Sequence, residues 1–353
     1  MPQVTRQINI PSLLKIGEGK LGKIGKYLSD RKYLKVALFF SKGIEELFGN
    51  ILYESLEKYN VQIVHKNIID DINIENVIHT AFKIPKETDV LLGIGGGKAL
   101  DYSKYCAHVL SLPFISVPTS TSNDGFCSSN ASLLVEGQRQ SVKATIPYGV
   151  VVDLDIIKSS PEECIYSGIG DLISKFTALW DWKQAFLKGL DEYNDFSSLI
   201  SLNSVQLFMN YQNTDIRNMD FLYNLANALL MSGVAMEVCG SSRPASGSEH
   251  LISHALDKIS DKPKMHGLQV GVSTYLCSIL QNNQSEIIKH FLVNTGFVDY
   301  MKEHPLNKKD FLEALSIAPS IKQSYYTILS EPDSIAKTVN LVENDELLNV
   351  MIK

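Results

Sequence analysis

Residues 89–101 read DVLLGIGGGKALD. The apolar run over 90–94 is short and continuous, which is typical of a strand buried in a parallel sheet. Glycines after it allow the backbone to approach a ligand, and a helix beginning near Ala99 would attract anions at its amino terminus. The glycine spacing matches neither the usual dinucleotide fingerprint nor a Walker loop. The stretch therefore predicts either a pyrophosphate cradle or a tight turn without a ligand.

The same alternation of apolar runs and helical patterns extends over the first 160 residues. It predicts an α/β domain over residues 1–160, with a parallel sheet covered by helices on both faces. We expect residues 139–145 to add an antiparallel strand near Val150. The predicted strands are 35–40, 61–64, 89–94, 114–117 and 149–154, and the predicted helices are 44–58, 74–82 and 99–110.

Strand patterns largely stop after residue 160, where Pro161 is typical of a helix start. Helical periodicity dominates the remainder of the chain. It predicts a second, all-α domain over residues 161–353. The predicted helices are 172–187, 196–210, 221–237, 249–259, 268–281, 285–294, 308–316 and 333–339.

The composition is that of an ordinary globular protein of two domains, with 353 residues, 44% hydrophobic and 20% charged. A net charge of −6 argues against a nucleic-acid or anionic-membrane surface, since either partner requires a basic face. The longest apolar runs are too short for a membrane span. Five scattered cysteines without a CxxC pair suit reduced thiols, so we expect a cytoplasmic protein.

A second polar loop follows the strand predicted over 114–117, and it reads PTSTSNDGFCSS over 118–129. Its hydroxyls at Thr119, Ser122 and Ser128 could bind a phosphate or a carboxamide, and Asp124 could accept a hydrogen bond from a ligand hydroxyl. The alternative is a plain cluster of turn-forming residues. Two polar loops at consecutive strand ends favour a ligand site, because ligands bind at that edge of such sheets.

Three histidines lie within 17 positions in SGSEHLISHALDKISDKPKMHG, residues 246–267. His250 and His254 are four residues apart and share one helix face. His266 follows after residues typical of a helix end and a turn. The cluster predicts a divalent-metal site, although satisfied core or surface histidines would give the same spacing. The spacing does not decide whether His250 or His254 binds the metal.

Asp171, in SGIGDLISK, could supply a carboxylate ligand from a predicted helix start. Two imidazoles and one carboxylate suit Zn²⁺, Fe²⁺ or Ni²⁺ and leave open positions for substrate or water. The alternative is that Asp171 only caps its helix. Similarly, Ser246 and Glu249 have the spacing of a capping box, so Glu249 need not be a ligand.

Six of these segments together resemble the sn-glycerol-1-phosphate dehydrogenases: GIGGGKALD, PTSTSNDG, SVKA, GDLISK, SSRPASGSEHLISHALD and MHGLQVG. Their superfamily also contains glycerol dehydrogenase, iron-containing alcohol dehydrogenases and dehydroquinate synthase. The resemblance covers residues 35–275. It implies a Rossmann-like nucleotide domain, a dehydroquinate synthase-like helical metal domain, NAD or NADP, one divalent metal ion and a homo-oligomer.

The resemblance also implies roles for individual residues. Asp171, His250 and His266 match the metal ligands, and Asp171 also matches a substrate contact. His254 and Asp124 match catalytic residues on the substrate side. Ser41 lies where some relatives carry an Asp that would repel a 2′-phosphate, so both NAD and NADP stay open. The positions that match coenzyme contacts are Gly95, Gly96, Gly97, Lys98, Ala99, Thr119, Ser120, Ser122 and Ser128.

The activity that the resemblance implies is the interconversion of glycerol 1-phosphate and dihydroxyacetone phosphate by hydride transfer. A phosphate on the substrate requires cations, and Lys143 and Arg243 are candidates unless they are only surface charges. One alternative is a glycerol or other polyol dehydrogenase that produces dihydroxyacetone. Others are a lyase like dehydroquinate synthase and a catalytically silent nucleotide-binding protein.

Overall fold

The structure is a computed structural model that describes residues 8–353, so the first seven residues of the predicted domain 1–160 lie outside it. The chain forms two compact units. The first ends at Ser160, and the second is Pro161–Lys353. Each unit has its own sheet or helices and its own buried core.

The first unit contains a six-stranded sheet in the order β1-β8-β5-β4-β2-β3, and all neighbouring strands are parallel. The central strand β4 is buried along its whole length, because helices cover both faces of such a sheet. The strands are β1 (Leu13–Gly17), β2 (Lys35–Ser41), β3 (Gln62–Ile69), β4 (Val90–Gly95), β5 (Phe114–Pro118), β6 (Asn130–Val135), β7 (Gln138–Lys143) and β8 (Gly149–Asp153). The helices are α1 (Ile24–Ser29), α2 (Ile44–Lys58), α3 (Ile74–Ala81), α4 (Gly97–Leu110) and α5 (Leu154–Ser159).

The prediction for residues 139–145 is wrong in its pairing. Strand β7 pairs antiparallel with β6 in a separate two-stranded sheet and does not join β8. Glu136 and Gly137 both have positive φ, which closes a two-residue hairpin between Val135 and Gln138. The local turn thus decides the partner of β7. Strand β1, which the sequence analysis missed, pairs with β8 at the edge of the sheet.

The second unit is helical, and residues 161–353, all of which are described, contain no strand beyond an isolated bridge between Leu306 and Ile352. This confirms the predicted fold class of a parallel α/β part followed by a helical part. The helices are α6 (Glu162–Ile173), α7 (Lys175–Leu187), α8 (Asp195–Met209), α9 (Met219–Cys239), α10 (Ser248–Ile259), α11 (His266–Leu280), α12 (Ser285–Asn294), α13 (Phe297–Glu303), α14 (Lys308–Ile321), α15 (Ser334–Asn344) and α16 (Glu346–Met351).

The helix predicted over 172–187 is wrong at its start. Helix α6 begins at Glu162 and includes Asp171 in its last turn, and α7 begins at Lys175 after Ser174. Asp171 therefore does not lie at a helix start. The glycines before it suggest a break, but the helix continues through them because a neighbouring helix packs against Gly170.

Helices α6 and α11 cross with their backbones in contact. A Cβ atom on Gly170 would lie 1.9 Å from the carbonyl oxygen of Gly267, and one on Gly267 would lie 1.8 Å from that of Ser167. Neither position can accept a side chain unless the helices separate. Since Asp171 follows Gly170 and His266 precedes Gly267, the same contact brings these two side chains close together.

Helix α9 is long and apolar enough to cross a membrane by length and composition. However, 72% of its most apolar window is buried inside the protein, as expected for a core helix.

We expect Gly170→Ala to destabilise the helical unit by about 1–3 kcal/mol, because the methyl group forces α6 away from α11. It should also weaken metal binding, since Asp171 and His266 move apart. Denaturant unfolding and the metal content of the purified protein would measure both effects. Gly22→Ala is the control, since its Cβ would lie at an ordinary 3.6 Å from Ile51 Cγ2. Unchanged stability and metal content in Gly170→Ala would contradict the expectation.

Candidate metal centre and coenzyme loops

Three helices of the second unit bring Asp171, His250 and His266 together. Each side chain offers one ligand atom, and these atoms all lie within 4.8 Å of one another. His250 Nε2 is 3.5 Å from Asp171 Oδ1. Asp171 and His250 are buried and His266 is half-buried. The donor set of two imidazoles and one carboxylate therefore fits a single divalent ion such as Zn²⁺, Fe²⁺ or Ni²⁺.

Glu249 orients the imidazole of His250. The Nδ1 atom of His250 lies 2.8 Å from Glu249 Oε1, so Nδ1 carries the proton and Nε2 faces Asp171. The buried carboxylate also accepts hydrogen bonds from the Gly247 amide at 2.7 Å and from Thr177 Oγ1 at 2.8 Å. Hydrogen bonds from the His250 ring, the Gly247 amide and the Thr177 hydroxyl thus fix the Glu249 carboxylate beside the candidate metal position.

The predicted capping box is wrong. Helix α10 begins at Ser248 after Gly247 without a side-chain cap, and Ser246 Oγ has no hydrogen-bond partner among the described residues. Glu249 instead uses its carboxylate to support His250.

A chain of two hydrogen bonds orients the ring of His266. Ser253 Oγ donates to Gln269 Oε1 at 2.7 Å, so it accepts the proton of His266 Nδ1 at 3.0 Å. This tautomer leaves the Nε2 lone pair of His266 as the ligand atom. Both histidines of the group are thereby oriented by side chains of their own unit.

The electrostatics of the group favour an ionised carboxylate beside the imidazoles. Burial alone would raise the pKa of Asp171, but Lys175, His250 and His266 outweigh burial and hold this pKa below its usual value. The Nζ atom of Lys175 is fully buried, 2.7 Å from the carbonyl oxygen of Asp171 and 3.5 Å from its Oδ1. Burial would lower the pKa of His250, yet the neighbouring carboxylates of Asp171 and Glu249 raise it.

His254 belongs to an overlapping group. Its ligand atom lies within 4.8 Å of those of Asp257 and His266, and all three side chains are half-buried. The ring of His266 stacks on that of His254 with the centroids 5.6 Å apart. It meets the ring of His250 edge to face, with the centroids 5.0 Å apart. Because His266 Nδ1 is engaged with Ser253, its Nε2 can serve only one of the two groups at a time.

In the first unit the predicted glycine loop lies where β4 meets α4. Gly95 has φ +150, and a Cβ atom there would lie 2.1 Å from Ser41 Oγ, so only glycine fits. The Gly96 amide donates to Ser41 Oγ at 3.1 Å. A Cβ on Gly96 would meet no atom within 4 Å, so there is open space before the amino terminus of the 14-residue helix α4. Lys98 is exposed, whereas Ala99 is buried and could offer only its backbone.

The second polar loop lies beside the first. The Thr119 amide donates to the Gly95 carbonyl oxygen at 3.0 Å, and Gly95 pairs with Pro118 across the β4–β5 ladder. Thr119 and Ser122 are buried, and Ser120 and Asp124 are half-buried. The open space before α4 and the hydroxyls on the adjacent strand end therefore suit a phosphate-bearing coenzyme.

Lys104, which the sequence analysis missed, holds the far end of this loop. Its fully buried Nζ donates to the carbonyl oxygens of Gly125 and Asn130, both at 2.7 Å, and to Asp101 Oδ1 at 3.0 Å. Ser128 Oγ donates to the same two carbonyl oxygens at 3.3 and 3.2 Å. A lysine on an ordinary helical pattern carries no sequence signal for such a role, since its partners are 21 and 26 residues away.

The two cations predicted to bind phosphate have different environments. Lys143 is exposed at the end of the β6–β7 hairpin, where it pairs with Asn130. Arg243 is 2% exposed in the turn before α10, and its Nε donates to Asp191 Oδ2 at 2.5 Å. Arg243 therefore belongs to the same helical unit as the candidate metal ligands, and Lys143 does not.

We expect His266→Ala to lose bound metal while the helical unit stays folded, because the ring lies at the start of α11 and is only half-buried. Metal analysis after dialysis and circular dichroism would measure these two properties. His290→Ala, at an exposed position of α12, is the control and should retain the metal. Full metal content in His266→Ala would remove this residue from the ligand set.

Glu249→Gln should weaken metal binding by about 10–100-fold, because the neutral amide no longer supports the basicity and the tautomer of His250. Competition with a chelator of known affinity would measure the change. Glu313→Gln, an exposed position on α14, provides the matched loss of one negative charge. Equal metal affinities in the two variants would show that Glu249 does not act through His250.

Comparison with known proteins places the chain in a family. Residues 15–161 match the iron-containing alcohol dehydrogenase family. Glycerol-1-phosphate dehydrogenase [NAD(P)+] from Thermococcus sibiricus is 34% identical over 337 residues, which are 94% of each chain. Among solved structures, glycerol dehydrogenase from Schizosaccharomyces pombe has a TM-score of 0.75 at 19% identity, covering 98% of this chain and 91% of that one.

Sulfoacetaldehyde reductase from Bifidobacterium kashiwanohense, solved in complex with NAD+, has a TM-score of 0.74 at 14% identity and covers 96% of this chain and 99% of that one. The two structures share the fold of this protein. The identity over nearly the whole chain goes further and shows that this protein is an oxidoreductase that belongs to the glycerol-1-phosphate dehydrogenase family within the iron-containing alcohol dehydrogenase superfamily.

Proposed function

We propose that this protein interconverts glycerol 1-phosphate and dihydroxyacetone phosphate, with NAD or NADP as coenzyme and one divalent metal ion. The observation that carries the proposal is the group of Asp171, His250 and His266, whose ligand atoms are already within 4.8 Å of one another. The names of the curated relatives support the substrate and the coenzyme.

In this proposal Asp171, His250 and His266 hold the metal ion. When bound, the metal would polarise the reacting oxygen as a Lewis acid, and the nicotinamide would accept or donate the hydride. Glu249 and Ser253 keep the two imidazoles in the tautomers that direct Nε2 inward. Because these groups are in place before a substrate arrives, little reorganisation is needed during the reaction.

His254 is proposed to handle the proton of the reacting hydroxyl. It lies one helical turn after His250 and is half-buried, so a ring nitrogen can exchange protons with substrate or water. Asp124, half-buried in the polar loop of the first unit, is proposed to accept a hydrogen bond from a substrate hydroxyl. Asp171 would also contact the substrate.

The coenzyme is proposed to bind at the two polar loops of the first unit. The relatives are named as NAD(P)+ enzymes, and the Bifidobacterium neighbour was solved with NAD+. Ser41 carries no charge that would repel a 2′-phosphate, which is consistent with either coenzyme. The proposed contacts are Gly95, Gly96, Gly97, Lys98, Ala99, Thr119, Ser120, Ser122 and Ser128.

We also propose a cytoplasmic location and a homo-oligomeric assembly. All five cysteines are free thiols, which suits a reducing compartment. The homo-oligomer is supported by the family resemblance alone. The proposed small-molecule partner is the substrate, a polyol phosphate.

Coenzyme reduction assays with metal-stripped protein, reloaded separately with Zn²⁺, Ni²⁺ or Fe²⁺, would test the function. We expect kcat/KM for glycerol 1-phosphate to exceed that for glycerol by on the order of 10³-fold or more, because buried cations left without a phosphate are costly. A preference for glycerol would instead indicate a glycerol dehydrogenase. Substrate conversion without net NADH formation would indicate a lyase.

A further inference from the structure

We propose that Lys322 and Arg243 form the subsite that binds the phosphate group of the substrate. The inference rests on the proposed function and assigns a role to Lys322, which carries no signal in the sequence. Arg243 lies in the turn before α10, and Lys322 follows the last residue of α14. Helix α14 packs against α10, so the two residues come from neighbouring elements of one unit.

The two cations lie around one aromatic ring. The guanidinium carbon of Arg243 is 3.9 Å from the centroid of Tyr325, and Lys322 Nζ is 4.5 Å from the same centroid. Tyr325 is itself held by a 2.8 Å hydrogen bond between its hydroxyl and Ser242 Oγ. The ring therefore sets the spacing of two positive charges, which would otherwise repel each other.

The cluster carries more positive than negative charge. Arg243 has one carboxylate partner, Asp191, and its Nη1 donates to the Tyr326 carbonyl oxygen at 3.1 Å. Its buried Nη2 has no hydrogen-bond partner among residues 8–353. Lys322 Nζ lies 3.4 Å from Ser242 Oγ, and no carboxylate among those residues is within ion-pair distance of it. The two cations thus have a single ion-paired carboxylate between them, the one that contacts Arg243.

A bound anion would offset the unfavourable free energy of burying two neighbouring cations. Burial and the charge of Arg243 together lower the pKa of Lys322 to about 8, and the charge of Glu249 opposes part of this change. A phosphate dianion would restore the charged lysine and supply acceptors for the unpaired Nη2 atom. Arginine offers a planar pair of donors and lysine a point charge, a combination suited to phosphate oxygens.

The cluster is connected to the candidate metal centre. Glu249, which bonds His250, is close enough for its charge to act on Lys322. Asp181 accepts hydrogen bonds from the Ser248 and Ile328 amides, both at 2.7 Å, and so ties the start of α10 to the segment after Tyr325. These contacts place the cluster in the same packed region as Glu249, which contacts the candidate metal ligand His250.

A competing role for Lys322 is purely structural, since its charge could offset that of Glu249. The two roles differ in what they predict. A structural lysine would alter metal content and stability whether or not phosphate is present. A phosphate-binding lysine would alter the response to phosphate and leave metal content unchanged.

The test compares Lys322→Met with Lys337→Met, a loss of the same charge at an exposed position of α15, and with Lys322→Arg. For metal-loaded protein we expect kcat/KM for glycerol 1-phosphate to fall by about 100-fold in Lys322→Met, less in Lys322→Arg and negligibly in Lys337→Met. Inorganic phosphate should raise the Tm of the wild-type protein and of Lys337→Met, and this shift should disappear in Lys322→Met.

An equal phosphate-induced shift in Tm for Lys322→Met and the wild-type protein would overturn the subsite. Loss of metal from Lys322→Met would assign the residue the structural role instead. Failure of the proposed function is distinguishable, because it would be seen in the wild-type protein as the absence of glycerol 1-phosphate turnover. The phosphate-induced shift in Tm would still report on the subsite in that case.

Discussion

A buried imidazole held between two carboxylates is the interaction on which the helical unit depends. His250 faces Asp171 through Nε2 and Glu249 through Nδ1, and both carboxylates are almost completely buried. Burying two negative charges is unfavourable unless positive charge and hydrogen bonds compensate them. Lys175 supplies part of that compensation beside Asp171, and a divalent cation would supply more. The site is thus arranged for a cation.

Helix packing and metal chemistry are coupled in this unit. The backbone contact between Gly170 and Gly267 is too close for any side chain, and each glycine neighbours a candidate ligand. A packed interior transmits a displacement instead of absorbing it, so separation of the helices would separate the ligands. In the first unit, strand pairing between β4 and β5 and the hydrogen bonds of the buried Lys104 hold the two polar loops in position.

Charge in the helical unit is balanced over several groups and not in isolated pairs. The pKa of Asp181 is raised to about 7 by burial and by the charge of Glu249, and its two amide hydrogen bonds oppose the rise. Around Lys322 positive charge is in excess, because Arg243 lies close by. Among the described residues, Asp191 is the only carboxylate within ion-pair distance of either cation, and it pairs with Arg243. The helical unit thus contains one buried group with an excess of carboxylates and another with an excess of cations, and the charge of Glu249 acts on both.

The sequence by itself determined the architecture, and it predicted which residue types would form the candidate site. Continuous apolar runs such as β4 predicted the parallel sheet, because local patterning decides which residues must leave water, and the histidine spacing predicted a metal. Tertiary structure alone decided the pairing of β7, the role of Glu249, the loop contacts of Lys104 and the neighbours of Lys322. Those outcomes depend on turns and on contacts between residues far apart in the chain. Such contacts produce no periodic pattern in the sequence, so the sequence alone does not predict them.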